Sequence, residues 1–166
     1  MKNIKTCAII GSTYNEIGFD EKAACIPHLK SLLVGTILKL IDSGCETIVT
    51  SLSFGVELWA AEVCVMLRKS GCPISLIGVR IDEELTSDWP EDARERYFDL
   101  VEECDDFIEE PLYDFDLGEY NEDRNDYFSE DYIIGQTDMI VSVGKDLGAR
   151  ANRILDNSVG RSIRIE

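Results

Sequence analysis

The residues whose types can do chemistry are concentrated in Ser51-Leu52-Ser53-Phe54-Gly55-Val56-Glu57-Leu58-Trp59-Ala60-Ala61-Glu62. A β-branched segment, Thr47–Thr50, runs into this Ser/Ser/Gly turn, and an apolar helical pattern leaves it. Such a junction offers unpaired backbone N–H groups, hydroxyls and the positive end of a helix dipole, which together hold an anion. Glu57 falls in the first helical turn. A carboxylate there either caps backbone amides or accepts hydrogen bonds from the hydroxyls or base edge of a bound ligand. Glu62 lies one and a half turns further on and is expected to be held by a hydrogen bond or an arginine, because a lone charge near a core is costly. As a pair, the two carboxylates would supply an acid and a base for hydrolysing N-glycosidic or phosphate bonds, although the sequence does not fix their separation.

Other chemistries find little support. The six cysteines, at positions 7, 25, 45, 64, 72 and 104, form no C-x-x-C pair, and His28 is the sole histidine, so no metal site is expected. The cysteines are read as small buried hydrophobes of a reducing compartment. His28 follows Pro27 at a helix start and is read as a surface residue. Neither G-x-G-x-x-G nor G-x-x-x-x-G-K-[ST] occurs, which argues against an NAD dehydrogenase and a P-loop NTPase. The formal charge of −17, from 33 acidic against 16 basic residues, disfavours nucleic acid and anionic membrane as partners. No apolar run approaches the length of a membrane span, and no signal peptide is seen, so a cytoplasmic location is expected.

The elements that must position these residues follow from the apolar pattern. The 166 residues are 45% hydrophobic, enough for one domain, 1–166, with its own core. Short continuous apolar runs at Thr6–Ile10, Thr47–Thr50, Ile74–Val79, Phe107–Ile108, Met139–Val143 and Ser162–Ile165 are predicted strands. Helical spacing is predicted over Leu29–Ile41, from Val56 to Leu67, from about Pro90 to Cys104, over Arg124–Ile134 and near Ala149–Asn157. Trp59 lies on the inward stripe of its helix and is assigned to the core. The acidic, aliphatic-poor stretch Glu109–Asp131 is predicted to be a long loop or an irregular insert. Strands buried on both faces and alternating with helices give an α/β, Rossmann-like three-layer sandwich with a mainly parallel sheet. Ligands of such sheets sit at the carboxyl ends of the strands. Three small-residue turns converge on that edge: Gly11-Ser12-Thr13, Ser51–Gly55 and Gly144–Gly148. Lys145, Arg150 and Arg153 lie around the third turn and Arg124 on the preceding helix, so the Gly148 turn is the expected phosphate site. Ser51, Ser53, Gly55 and Glu57 are left to hold a sugar or base.

Gly55–Glu62, G-V-E-L-W-A-A-E, also resembles the G-x-[DE]-x-x-A-A-E signature of the YpsA-like branch of the SLOG superfamily. Further pieces follow in the same order. Trp89 with Arg94–Tyr97 looks like that branch's tryptophan and charged helix, Arg124-Asn125-x-x-Phe128 resembles its R-N-x-x-[ML] helix, and Asp138–Val143 is similar to its S-D-x-[LI]-[IL]-x-V strand. Gly148-Ala149-x-x-Asn152 stands where the branch has G-G-T-x-x-T or G-T-A-N. The resemblance implies a Rossmann-like domain that binds a nucleotide or nucleotide-derived small molecule, with Arg124, Asn125 and Asn152 added to the candidate ligand residues. Its relatives include the DNA-processing protein DprA and the LOG phosphoribohydrolases. The P-G-G-x-G-T-x-x-E signature of the latter is absent, and the net charge argues against a DprA-like role on single-stranded DNA. Thr13, Ser51 and Leu147-Gly148-Ala149 depart from the branch's G-x-R, glycine and G-G-T. These departures leave a protein-interaction module as an alternative, with a protein partner or a homo-oligomer open.

Overall fold

A computed structural model of the chain describes residues 3–82, 84–110, 113–114, 118–120, 127–158 and 160–166. Its centre is strand β1 (Thr6–Gly11), paired in parallel with β2 (Thr47–Thr50) on one side and, on the other, with a strand from the far end of the chain, Met139–Val143. Strands β3 (Ser75–Val79) and β4 (Asp106–Ile108) continue outward from β2. A two-residue antiparallel pair, β5 (Tyr113–Asp114) with β6 (Glu119–Tyr120), falls within the stretch expected to be a loop. Numbering Met139–Val143 as β7 and Ser162–Ile165 as β8, the six main strands lie in the order β4-β3-β2-β1-β7-β8, all parallel.

The apolar strands are continuous because each feeds two cores at once. Cys7 and Ile9 point to one face and Ala8 and Ile10 to the other, and Ile48 and Val49 divide in the same way. Helices α2 (Ile26–Asp42), α3 (Val56–Lys69) and α4 (Glu91–Glu103) cover the first face through Leu33, Ile37, Trp59, Val63, Ala93 and Tyr97. Helices α5 (Phe128–Gln136) and α6 (Gly148–Asp156) cover the second through Ile133, Ala151 and Ile154. The fold is therefore the expected α/β three-layer sandwich. Crossovers step from β1 toward β4 with helices on one face, and from β7 to β8 with α6 on the opposite face. The chain reverses direction between β1 and β7, and the crevice of a doubly wound sheet opens at that point. No helix among the described residues is long and apolar enough to cross a membrane.

One short helix was not legible as such: α1 (Tyr14–Ile17), in the stretch expected to be irregular. Four residues cannot display a helical period, and this helix buries none of its side chains.

Candidate anion site at the β1–β7 switch

The turn after β1 is fastened to the turn after β2. The Tyr14 N–H donates to the Phe54 carbonyl at 2.7 Å and the Val56 N–H to the Ser12 carbonyl at 3.3 Å, with an antiparallel bridge between Thr13 and Gly55. Tyr14 stacks on Phe54 at 5.3 Å, and Phe19 meets Phe54 edge-on at 5.1 Å. Gly55 is required here, since its φ of +132° lies where side chains are rarely tolerated and an added Cβ would stand 2.3 Å from the Ser12 carbonyl oxygen. Two of the three small-residue turns are thus one backbone unit, holding Gly11, Thr13, Ser51, Ser53 and Gly55 buried and Ser12 half-buried.

The third turn joins them through a buried ion pair. Glu57 is 0% exposed, and its Oε2 accepts from Arg150 Nη1 of α6 at 2.8 Å, so a carboxylate of the first-face layer meets a guanidinium of the second across the sheet edge. Glu57 Oε1 accepts from the Ser51 N–H at 3.3 Å, and the Thr50 hydroxyl donates to the Glu57 carbonyl at 3.0 Å. The Ser53 N–H donates to Ser51 Oγ at 3.2 Å. Hydrogen-bonding capacity is left over around this pair: Arg150 Nε and Nη2, Ser53 Oγ and Ser142 Oγ are buried without a partner among the described residues. Nε and Nη2 form one edge of a guanidinium, a fork suited to two parallel bonds to a carboxylate or phosphate.

Gly148 opens α6 with a φ of +85°, and its surroundings hold an anion already. An added Cβ would lie 2.7 Å from Glu16 Oε2, and the same oxygen accepts from the Arg150 N–H at 3.2 Å. The Thr13 hydroxyl donates to Glu16 Oε1 at 3.3 Å. Thr13-Tyr14-Asn15-Glu16 has the T-x-x-E pattern of a capping box, a signal that could have flagged Glu16, but the carboxylate turns to the N-terminus of α6 instead of its own helix. Lys145 is exposed on the turn beside Gly148. Asn152 is exposed and stands about 200° round α6 from Arg150, off the face that meets Glu57. Arg153 is turned to Glu130 at 2.6 Å. Arg124 and Asn125 lie outside the described residues.

Glu62 has a separate role. It receives Arg96 of α4 at 2.5 Å, and Arg96 also grips Glu21 through Nη1 at 2.7 Å and Nη2 at 2.9 Å. Trp59, 2% exposed in the core, donates its indole N–H to Glu21 at 2.6 Å. The helix carrying A-A-E therefore fastens the loop after α1 to α4. Burial pushes the Glu21 carboxyl up, but the bonds from Arg96 and Trp59 and the charges of Arg96 and Lys30 outweigh it and hold the pKa down at about 2, against an ordinary 4.5. A lowered carboxyl pKa contributes stability that is complete above the unfolded value and disappears as pH falls through the folded one. Acidification from pH 5 to 2 should therefore remove a contribution of about 1–2 kcal/mol, screening included. Urea midpoints across that range should show a smaller acid loss for Glu21→Gln than for the wild type, and equal losses would contradict the assignment. His28 is exposed at the start of α2, and among the described residues no group of three or more His, Cys, Asp or Glu is placed to hold a metal ion.

The sheet order, the two-core strands and the Gly55 junction with its A-A-E helix now stand together, and the family model described as the YspA SLOG family matches residues 7–143. The chain belongs to the YspA SLOG family. A UPF0398 protein of Halalkalibacterium halodurans is 34% identical to it over 103 residues, covering 61% of this chain and 54% of its own. A UPF0398 protein of Shouchella clausii is 32% identical over 96 residues, 57% of this chain and 51% of its own, and one of Staphylococcus haemolyticus is 28% identical over 141 residues, 84% and 73%. The first two matches span about half the length of those relatives. In this SLOG domain both carboxylates weighed as acid and base are committed acceptors, Glu57 to Arg150 and Ser51 and Glu62 to Arg96.

Proposed function

We propose that this SLOG domain binds a nucleotide or nucleotide-derived small molecule, its phosphate lying between the start of α6 and Arg150 at the β1–β7 switch. The observation that carries this reading is the Arg150 guanidinium, 6% exposed, with one nitrogen on Glu57 and the Nε–Nη2 edge unused. A buried cation with idle donors is costly in a resting core, whereas a phosphate would engage both. Lys145 adds charge at the rim of a protein carrying −17, which favours an anion at this point over most of the surface. Ser12, Thr13 and the idle hydroxyl of Ser53 are the groups assigned to the sugar or base.

Thermal shift and calorimetry with ATP, ADP, NAD, ADP-ribose, cyclic dinucleotides and pyrophosphate test the reading. At least one should stabilise the wild type, with affinity reduced about five- to tenfold by Ser53→Ala and further by Lys145→Ala. Ser53→Ala deletes a hydroxyl with no partner, so stability should change by less than about 0.5 kcal/mol and the binding loss can be read directly. A panel without any stabilising ligand, or binding indifferent to both substitutions, would overturn the reading.

A further inference from the structure

We infer that Glu16 is an internal stand-in for the ligand's phosphate, which must be expelled before the site can fill; the inference rests on the proposed anion site. Glu16 Oε2 sits against Gly148 and accepts the Arg150 N–H, in the position that a phosphate oxygen takes at a helix N-terminus. An added Cβ on Gly148 would come within 2.9 Å of the Glu16 carboxyl carbon as well as 2.7 Å of Oε2, so carboxylate and phosphate cannot share the place. The helix end is not the only pointer to a ligand. Arg150, on the same first turn, is more than nine-tenths buried, and its Nε–Nη2 fork is left unused by both Glu57 and Glu16.

Glu16 is built to leave. Its bonds to Thr13 and Arg150, at 3.3 and 3.2 Å, are at the long end for hydrogen bonds, and its side chain is exposed, so water stands ready to solvate the carboxylate as it withdraws. It rides on a four-residue helix that buries none of its side chains, while the backbone on either side is pinned by Tyr14 and Phe19 to Phe54. A side-chain rotation suffices, without unfastening the two turns. Glu57 cannot play this part, because it is 0% exposed and tied to both Arg150 and Ser51. A phosphate that enters therefore displaces both Glu16 bonds, from the Thr13 hydroxyl and the Arg150 N–H, and gains the α6 amides and the idle Arg150 fork in their place. A monoanionic carboxylate ligand would gain least from the exchange, and a phosphate or pyrophosphate most.

Apparent affinity is reduced by the fraction of molecules in which the site is closed, and removing the internal anion also removes like-charge repulsion. Pyrophosphate, ADP-ribose and acetate should be titrated by calorimetry into the wild type, Glu16→Gln and Glu16→Ala, with thermal melts to show that all three are folded. Pyrophosphate and ADP-ribose are expected to bind both variants about tenfold more tightly than the wild type, with acetate gaining little. In ¹⁵N-edited spectra, the Arg150 amide should shift on pyrophosphate addition and, without ligand, between wild type and Glu16→Ala. Equal affinities in all three proteins would overturn the inference and leave the anion site standing. No binding by any of the three would overturn both.

Discussion

Replacing Glu57 with alanine is expected to destabilise the domain by about 3–5 kcal/mol, the cost of leaving a buried guanidinium without its counter-charge. Arg150 is 6% exposed and already carries two unpartnered nitrogens, so losing Glu57 would leave it without any of its side-chain bonds. Arg150→Ala should cost a similar amount, stranding a carboxylate that is 0% exposed with only the Ser51 N–H at 3.3 Å. The double replacement Glu57→Ala with Arg150→Ala removes both charges, and because a buried pair returns little more than its own desolvation cost, it should cost clearly less than the sum of the two single losses. Urea unfolding of the four proteins closes the cycle. A Glu57→Ala loss below about 1 kcal/mol, or strict additivity, would mean that the pair is not coupled as its 2.8 Å separation indicates. The result also bears on function. Arg150 is held through one nitrogen while its Nε–Nη2 edge stays buried and unpartnered, so any ligand assay on a Glu57 variant mixes lost binding with lost structure.

The strands and main helices were legible because their physics is local. Thr6–Gly11 had to lie between two layers, since its consecutive residues Cys7, Ala8, Ile9 and Ile10 are all apolar, and the structure sends them alternately to two cores. Trp59 was legible as core from helical spacing alone. The three-turn convergence followed from topology, because parallel strands deliver all their carboxyl ends to one edge. The partners at that edge were not legible. Arg150 is 93 residues from Glu57, and its backbone N–H is 134 from Glu16, distances over which a single sequence carries no pairing signal. The same limit applied to Glu62, whose arginine was expected as a type of partner but not as Arg96. The acidic stretch Glu109–Asp131 hid the β5–β6 pair, because strands of two residues have no period to read.

Those unread pairings change what the G-x-E-x-x-A-A-E stretch does. Its glutamates serve two different fastenings, Glu57 joining α3 to α6 and Glu62 joining α3 to α4, and its tryptophan holds Glu21 from within the core. The stretch is chiefly the scaffold that fixes where Arg150 and the turn after β1 stand.

Gly55→Ala is the sharpest test of that scaffold, with an expected loss of about 3 kcal/mol or more. Two costs combine. At φ +132° and ψ −144° the backbone occupies a region used almost only by glycine, which alone costs on the order of 1–3 kcal/mol for another residue. The new Cβ would also stand 2.3 Å from the Ser12 carbonyl oxygen, and this atom cannot give way as a side chain would, because it accepts the Val56 N–H and belongs to the Thr13–Gly55 bridge. Gly18→Ala separates the two costs. Gly18 also lies in glycine's territory, at φ +61° and ψ 143°, but nothing lies within 4 Å of its added Cβ, so that variant should lose only the backbone cost, on the order of 1–3 kcal/mol. Urea unfolding of both variants against the wild type gives the comparison, and losses of equal size would show that backbone strain, not the close approach of the two turns, is what makes glycine necessary at 55. With the turns forced apart, Thr13 and Glu16 would move with the β1 turn away from α6, so any Gly55→Ala protein that still folds should lose the Glu16–Arg150 amide contact. The Arg150 amide resonance of that variant should then resemble Glu16→Ala more than the wild type.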